Sequence, residues 1–350
     1  MRRAYNPGVA QRVAVIGAGS WGTTLGRRLA LNGHQVALHC FPAAIAEGIT
    51  DHRRNPAYFP QVELPDGIAA TANLGTALHD AAVAYLVVPA RYLRGLMESG
   101  LAAWRVWAGG DGQAERPVLC NCSKGLLLDP TQRTDEWLAE LLPEVELVHL
   151  AGPNLAAEVI AGQPAAAVAA GPPRAAVMVQ QQLMCDVYRV YTGSDIVGVE
   201  VAGFYKNIIA IAAGAVAGLQ LGSNTRAVLI TRGLAEMGRL VDYFGGDSRT
   251  LSGLAGVGDL VVTCTSPLSR NFQVGERRAM GQSLAQVLRE MTQVAEGVQA
   301  SEAVHQWPTE HGLAGWPELP IAEEVYRFVH EGAEAADSIQ RLMRRPPRAE

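Results

Sequence analysis

A glycine-rich turn near the start of the chain constrains the fold more than any other feature. Gly17-Ala18-Gly19-Ser20-Trp21-Gly22 follows a short apolar segment at 11–16, and apolar residues at helical spacing continue to Asn32. A second apolar segment at 35–40 comes after Gly33. A strand, a G-x-G-x-x-G turn, a helix and a second strand within about 30 residues are typical of a dinucleotide-binding unit.

Each glycine of this turn has a physical reason to be there. Gly17 allows the tight turn, Gly19 lets the backbone approach a pyrophosphate, and Gly22 lets the helix pack closely on the strand. The helix that begins at Ser20 offers unpaired N–H groups to the anion. A glycine-rich turn without a ligand is the alternative, and the flanking strand and helix argue against it.

The end of the second strand bears on the choice between NAD and NADP. An acid at this point accepts hydrogen bonds from the ribose of NAD, whereas an arginine favours the phosphate of NADP. This chain has neither, because it reads His39, Cys40 and Phe41. The choice therefore stays open. The arginines that could reach this point are Arg27, Arg28 and Arg53.

Further apolar segments extend the pattern into a sheet. They lie at 82–88, 117–121 and 147–150, with segments of helical spacing between them. Strands that alternate with helices predict a parallel sheet covered on both faces. Since the chain has 350 residues, two domains are expected.

The pattern changes after about residue 190. The stretch 194–244 is alanine-rich and predicts two long helices broken near Gly222, and further helices are expected at 271–280, 295–311 and 321–329. We therefore predict an α/β protein, with an N-terminal Rossmann-type doubly wound parallel sheet and an all-α C-terminal domain. The expected boundaries are 11–192 for the dinucleotide-binding domain and 193–343 for the substrate and catalytic domain.

Composition narrows the class of protein. A net charge of -5 gives no general attraction to nucleic acid or to an anionic membrane. Five scattered cysteines do not form a disulfide framework and complete no metal site, so a reducing, cytoplasmic setting is expected. The first ten residues lack the apolar core of a signal peptide, and the longest apolar run, 208–219, is too short to span a bilayer.

Polar residues in otherwise apolar surroundings mark a possible reaction site. Lys206-Asn207 lies inside an apolar helix, where an unpaired lysine is costly to bury, although a lysine that reaches the surface is the alternative. Lys124 and the turn Gly152-Pro153-Asn154 each follow a predicted strand. Ligands of open α/β sheets bind at that carboxyl edge. A surface lysine and an ordinary turn are the alternatives.

Two later segments could hold a phosphate. Gly253–Asp259 is glycine-rich and ends in an acid, and Ser269-Arg270-Asn271 opens a helix. Backbone N–H groups and an arginine at a helix start suit a phosphate, although an ordinary capped helix start is the alternative. Together these segments suit a phosphorylated carbonyl substrate beside a nicotinamide.

In these motifs, the chain resembles the bacterial type of NAD(P)-dependent glycerol-3-phosphate dehydrogenases, from about Arg12 to about Gly332. The resemblance is specific because many motifs occur in one order. They are the 17–22 turn with Thr23, 55–65 (NPAYFPQVELP), 123–125 (SKG), 152–158 (GPNLAAE), 206–207 (KN), 224–237 (NTRAVLITRGLAEM), 253–259 with 263–266 (TCTS), 269–271 (SRN) and 295–297 (AEG).

The resemblance implies an NAD(P)H-dependent reaction and a set of site residues. A hydride passes between nicotinamide C4 and C2 of dihydroxyacetone phosphate, giving the sn-glycerol 3-phosphate used for phospholipids, and Lys206 is the general acid/base. The implied substrate residues are Lys124, Gly152, Asn154, Lys206, Asp259, Ser269, Arg270 and Asn271. The implied cofactor residues are Gly17, Gly19, Ser20, Trp21, Gly22, Phe41, Lys124, Ala156, Arg270 and Glu296. A homodimer without a metal, a nucleic-acid partner or a membrane span is expected.

The chain departs from the family pattern at three points. It reads Gly203-Phe204-Tyr205 before the catalytic lysine, where Gly-Ala-Leu is frequent, and this bulk could reshape the pocket wall. Phe41 stands where bacterial members often carry arginine for the NADP phosphate. Asn154-Leu155 replaces a frequent Ser-Phe.

Two other functions are weighed against this one. A dehydrogenase of the same shape could act on a hydroxy acid or hydroxyacyl thioester, but His305 and His311 lie in a late helix and are poorly placed for the His–Glu pair of such enzymes. A non-enzymatic dinucleotide sensor would keep the glycine-rich turn and would not need Lys206, Asp259 and Arg270.

Overall fold

The computed structural model describes residues 9–109, 116–291 and 294–347. Residues 1–8, part of the segment considered above as a signal peptide, lie outside this range. The chain divides into two compact units. Unit 1 comprises Met1–Ser123 with Thr134–Ile196, and unit 2 comprises Lys124–Arg133 with Val197–Glu350.

Unit 1 is built on one eight-stranded sheet. Its strands are β1 (Arg12–Ile16), β2 (Gln35–His39), β3 (Ile68–Thr71), β4 (Val83–Leu86), β5 (Val118–Asn121), β8 (Glu146–Ala151), β9 (Ala165–Ala170) and β10 (Tyr188–Gly193). The order across the sheet is β10-β9-β8-β5-β4-β1-β2-β3. All neighbours are parallel except β8 and β9. The strand order reverses beside β1, and ligands of such sheets bind at this switch point.

The sequence predicts five of these strands and misses three. The missed strands are short or rich in small residues: β3 reads IAAT, β9 reads AAAVAA and β10 reads YRVYTG. Alanine has a low strand propensity, so packing in the sheet decides these segments. The predicted parallel sheet is confirmed as predominantly parallel, and β8–β9 is its antiparallel pair.

Helices surround the sheet of unit 1. They are α1 (Ser20–Leu31), α2 (Ala43–His52), α3 (Leu74–Leu78), α4 (Ala90–Ser99), α5 (Leu101–Ala108), α6 (Thr134–Leu141), α7 (Ala156–Ile160) and α8 (Pro173–Leu183). As predicted, α1 ends before a glycine: Asn32 is its C-cap and Gly33 has φ +90°. The core of the unit joins β1 and β2 side chains such as Val15 and Leu38 to Leu25 of α1.

Unit 2 is helical apart from a short hairpin of β6 (Leu126–Leu127) and β7 (Gln132–Arg133). Its α-helices are α9 (Ile196–Gly218), α10 (Ser223–Tyr243), α11 (Asp259–Thr265), α12 (Arg270–Ala279), α13 (Leu284–Glu290), α14 (Glu296–His311), α15 (Pro320–His330) and α16 (Ala335–Met343). Gly222 is the N-cap of α10, which confirms the predicted break.

Helix α9 is the centre of unit 2. Among the described residues, it is the one helix that is long and apolar enough to cross a membrane by length and composition. Of its most apolar 18-residue stretch, 83% is buried inside the protein, as is typical of a core helix. Glycines on both helices bring α12 close to α9: a Cβ on Gly214 of α9 would lie 1.9 Å from Phe272 O, and one on Gly275 of α12 would lie 1.8 Å from Ile211 O. The contact fixes α12, and therefore its first residues, against α9.

Candidate active site

The glycine-rich turn of unit 1 has the geometry that a bound dinucleotide needs. Gly17 has φ +110°, and a Cβ there would lie 2.4 Å from Val87 O. A Cβ on Gly22 would lie 1.8 Å from Gly17 O, so close packing of α1 on β1 needs glycine. Around Gly19, in contrast, no heavy atom lies within 4 Å of an added Cβ. Protein packing therefore explains two of the glycines, and space for a ligand explains the third.

Asn55 supports this turn, although sequence analysis assigned no site role to it. The Asn55 Nδ2 group donates to Ala18 O at 2.9 Å and to Thr23 Oγ1 at 2.8 Å. Its Oδ1 atom accepts from the backbone N–H of Ala57 and of Tyr58. Asn55 is completely buried. Asn55 begins the stretch NPAYFP. A polar residue at the start of an aromatic loop is the sequence signal that could have identified it.

The loop after β8 lies beside the start of α1. The Thr24 hydroxyl donates to Ala156 O at 3.4 Å, which brings Ala156 next to the helix that follows the glycine-rich turn. Gly152 has φ +143°, and a Cβ there would lie 2.8 Å from Ala166 O. Asn154 Oδ1 is buried and has no hydrogen-bond partner within the described chain. This oxygen is therefore available to a ligand.

Phe41 lies two residues after the end of β2 and is exposed. Its side chain is 87% exposed, whereas His39 and Cys40 are buried. Two arginines that could have reached this point bond elsewhere, Arg53 to Leu64 O and Arg27 to Ile160 O. The third, Arg28, bonds Cys185 Sγ. An exposed aromatic ring neither accepts hydrogen bonds from a ribose nor pairs with a phosphate.

The lysine of α9 is buried, and its pKa is strongly lowered. Lys206 is 2% exposed and pairs with Asp259 of α11, which is equally buried. Burial lowers the pKa of Lys206, the Asp259 carboxylate opposes this effect, and the nearby charge of Lys124 adds to it, so that the pKa is about 7. The alternative of a lysine that reaches the surface is therefore wrong. A lysine that titrates near neutral pH can give or take a proton.

Asp259 keeps one oxygen for another partner. Its Oδ1 atom serves Lys206, while Oδ2 is buried without a hydrogen-bond partner in the described part of the chain. The Thr263 hydroxyl donates to the Asp259 backbone carbonyl at 2.5 Å, which holds the first turn of α11. A buried acceptor without a donor is costly, so a ligand hydroxyl or ammonium would be favoured there.

The start of α12 combines structural and exposed groups. The Ser269 hydroxyl caps the helix by accepting from Phe272 N at 3.3 Å, as an ordinary helix cap does. Asn271 Oδ1 accepts from Gly297 N at 2.9 Å and so ties α12 to the start of α14, where Glu296 lies. Arg270 itself is exposed. Arg270 is therefore the charged and exposed residue of the three, whereas Ser269 and Asn271 are buried.

Gly297 completes the junction around α9. A Cβ at this position would lie 2.5 Å from Asn207 O and 2.9 Å from Asn271 Oδ1. The structure thus brings together Lys206-Asn207, Asp259, Asn271 and Glu296-Gly297, which are widely separated in sequence. The bulky pair before the lysine is fully buried, and the Tyr205 hydroxyl donates to Glu236 at 2.7 Å.

A buried polar network of unit 1 lies at the end of β5, and sequence analysis missed it. His149 Nδ1 donates to Asp135 at 2.6 Å, Asn121 Nδ2 donates to the other Asp135 oxygen at 2.7 Å, and Asn121 Oδ1 accepts from Ser123 N at 2.9 Å. These side chains come from three separate elements. The local sequence signal for this network is the presence of Asp135 and His149 beside apolar residues.

The late histidines have other partners. His305 lies 3.1 Å from Glu323 and stacks on Tyr326, and His311 bonds Thr131 O at 2.8 Å. Within the described ranges, no group of three or more His, Cys, Asp or Glu side chains is arranged to hold a metal ion.

Comparison with known proteins gives one consistent result. Residues 12–177 match the N-terminal model of NAD-dependent glycerol-3-phosphate dehydrogenase, and residues 195–340 match the C-terminal model. The glycerol-3-phosphate dehydrogenase [NAD(P)+] of Citrifermentans bemidjiense is 40% identical over 98% of this chain and 99% of its own. That of Geobacter sulfurreducens is 42% identical with the same coverage. The crystal structure of glycerol-3-phosphate dehydrogenase from Coxiella burnetii superposes with a TM-score of 0.88 at 34% identity, covering 96% and 99% of the two chains.

Proposed function

The chain belongs to the NAD-dependent glycerol-3-phosphate dehydrogenase family, and from that premise we propose that it interconverts dihydroxyacetone phosphate and sn-glycerol 3-phosphate with NAD(P)H. The observation that carries the chemistry is the buried Lys206 beside Asp259, with its pKa near 7. A sensor of dinucleotides would have no use for such a lysine.

Lys206 has the properties of the group that moves the proton. In the direction of reduction, its ammonium donates a proton to the substrate carbonyl oxygen as negative charge builds there. Lys124 adds positive field at the same place, and its like charge helps to bring the pKa of Lys206 near neutral pH. In the direction of oxidation, neutral Lys206 takes the hydroxyl proton. The Asp259 carboxylate orients the ammonium and leaves Oδ2 for a second contact.

Arg270 is the group best suited to the substrate phosphate. It lies at the first position of α12, a helix of ten residues, where the macrodipole and the guanidinium both favour an anion. Ser269 and Asn271 contribute by holding this helix start in place. Gly152 and Asn154, whose Oδ1 atom is buried without a hydrogen-bond partner in the described chain, are further proposed substrate contacts.

The 17–22 turn has the features of a nicotinamide dinucleotide site. The space at Gly19 and the N-terminus of α1, where Ser20 and Trp21 lie, would hold the pyrophosphate. Ala156, Phe41, Lys124, Arg270 and Glu296 are further proposed contacts. When bound, the reduced nicotinamide supplies the hydride. The exposed Phe41 supports use of NADH and NADPH without strong discrimination, because it provides neither an acid nor an arginine.

The wider role follows the family. We propose that residues 11–192 form the dinucleotide-binding domain and residues 193–343 the substrate and catalytic domain. The enzyme works as a homodimer in the cytoplasm and supplies glycerol phosphate for phospholipid synthesis.

A direct assay tests the proposal. Purified protein is mixed with dihydroxyacetone phosphate, and absorbance is followed with NADH and with NADPH in parallel. We expect oxidation of both, with kcat/KM values of similar size. If neither cofactor is oxidised although both bind, the reaction assigned here is wrong. A large ratio between the two values would contradict the interpretation of Phe41.

A further inference from the structure

A ten-residue hairpin carries Lys124 into the helical unit. The segment Lys124–Arg133 groups with unit 2, although the residues before and after it belong to unit 1. It contains the two short strands β6 and β7. Something must therefore hold this hairpin to the helices of unit 2, and its contacts show what does.

The tip of the hairpin is held by the end of α14. Thr131 is buried, and Glu310 Oε2 accepts from its backbone N–H at 2.7 Å and from its hydroxyl at 2.9 Å. The next residue, His311, donates from Nε2 to Thr131 O at 2.8 Å. Two neighbouring side chains of α14 thus satisfy both backbone polar groups of Thr131 and its hydroxyl.

The base of the hairpin is held by α9 and by α14. Arg133 pairs with Glu200 at 3.0 Å, and the Glu200 side chain is fully buried on the helix that carries Lys206. Gln299 donates to Leu126 O at 3.4 Å. A buried ion pair and side-chain bonds at both ends fix the hairpin as a unit.

We propose that Glu310 and His311 form a clamp that holds the 124–133 hairpin on the helical unit and so positions Lys124 beside Lys206. They are positioning residues, because they act on the reacting lysine through Lys124. This inference rests on the proposed function, in which Lys206 transfers the proton.

The clamp has a consequence for the protonation of Lys206. The charged and titratable groups that face its ammonium are Asp259 and Cys264 of α11 and Lys124 of the hairpin. When the clamp is weakened, Lys124 moves away and water gains access, and both changes favour the ammonium form. The pKa of Lys206 then rises. Since reduction requires the ammonium, the alkaline decline of kcat/KM moves to higher pH.

The test compares Glu310→Ala with Glu302→Ala. Both glutamates lie on α14, and the Glu302 carboxylate accepts a hydrogen bond from Gln306 of the same helix at 3.4 Å. We expect Glu310→Ala to move the alkaline limb of kcat/KM for dihydroxyacetone phosphate upward, by up to about 1 pH unit. It should also raise backbone hydrogen exchange across 126–133. Glu310→Gln retains an acceptor and should lie between the wild type and alanine, and Glu302→Ala should match the wild type.

The outcomes separate the clamp from the reaction. If hydrogen exchange in the hairpin does not change in Glu310→Ala, the clamp is not what holds it. If exchange rises while the alkaline limb stays at the wild-type pH, the hairpin does not position Lys124, and the inference is overturned. If the wild type itself oxidises neither NADH nor NADPH, the proposed function fails, which the exchange measurement alone would not report.

Discussion

Burial affects the ammonium group of Lys206 more than either neighbouring charge does. Moving the side chain out of water disfavours its charged form, and Lys124 acts in the same direction. Asp259 opposes them without restoring the ordinary value. The balance leaves a lysine that is close to half protonated near neutral pH, where a general acid/base is most effective.

Removing the lysine should remove the proton transfer and leave the rest of the protein intact. Lys206→Ala is expected to lower kcat by roughly 10²–10⁴-fold, the usual contribution of a positioned acid or base. Binding of NADH, measured by fluorescence titration, should not change, because the glycine-rich turn lies in the other unit. Unchanged turnover would exclude Lys206 from the chemistry.

The lowered pKa of Lys206 predicts opposite pH dependences for the two directions. Reduction needs the ammonium, so kcat/KM for dihydroxyacetone phosphate should fall as pH rises through about 7. Oxidation needs the neutral amine, so kcat/KM for glycerol 3-phosphate should rise through the same range. Steady-state profiles from pH 5.5 to pH 10 would test this. A kcat/KM for reduction that stays constant up to about pH 9, as expected for an exposed lysine with a pKa of about 10.4, would contradict it.

At the scale of the element, helix starts and close helix contacts place the polar groups. Asn271 joins α12 to the start of α14, and Asp259 begins α11 directly after the segment Leu254–Gly258. These helices keep their positions because α12 packs on α9 with its backbone in near contact at Gly214 and Gly275. Small residues at this crossing thus determine where the arginine at the start of α12 lies.

Gly275→Ala should destabilise the protein. The added methyl group would lie 1.8 Å from Ile211 O, so the helices must separate, at a cost of roughly 1–3 kcal/mol for overpacking. Gly95→Ala is the matched control, since Gly95 also lies within a helix and has no heavy atom within 4 Å of an added Cβ. It should stabilise by up to about 1 kcal/mol. Urea unfolding measures both, and equal effects would refute the packing argument.

At the scale of the whole molecule, the proposed groups are divided between the two units. Unit 1 contains the glycine-rich turn and Ala156, while unit 2 contains both lysines, Asp259 and Arg270. Because Lys206 is not among the proposed dinucleotide contacts, a change at Lys206 is expected to affect proton transfer and to leave dinucleotide binding in place.

Thermal stability should report this division. NADH at 100 times its Kd stabilises the folded state by about 2.7 kcal/mol, so Tm should rise by several degrees. Lys206→Ala should keep this rise. Gly22→Ala should lose it, because its methyl group would lie 1.8 Å from Gly17 O and distort the turn. Scanning fluorimetry with and without NADH makes the comparison, and an undiminished rise in Gly22→Ala would argue against a dinucleotide at this turn.

The sequence determined what depends on local backbone demands. The positive φ angles of Gly17 and Gly33 follow from a conformation that glycine adopts readily, and Gly222 is a residue type favoured at a helix N-cap, so the sequence alone predicts these features. Apolar spacing identified five strands and the long helices for the same reason, because strand and helix periods are properties of neighbouring residues. The family resemblance then named the site residues, which remain proposals as a set.

Only the tertiary structure decided which distant polar groups meet. The pairing of Lys206 with Asp259, the support of the glycine-rich turn by Asn55 and the membership of the 124–133 hairpin in the helical unit join residues that share no local pattern. The antiparallel β8–β9 pair is of the same kind. These contacts arise because burial removes water and leaves each polar group to find a partner within the packed chain, and that partner is set by how the elements pack.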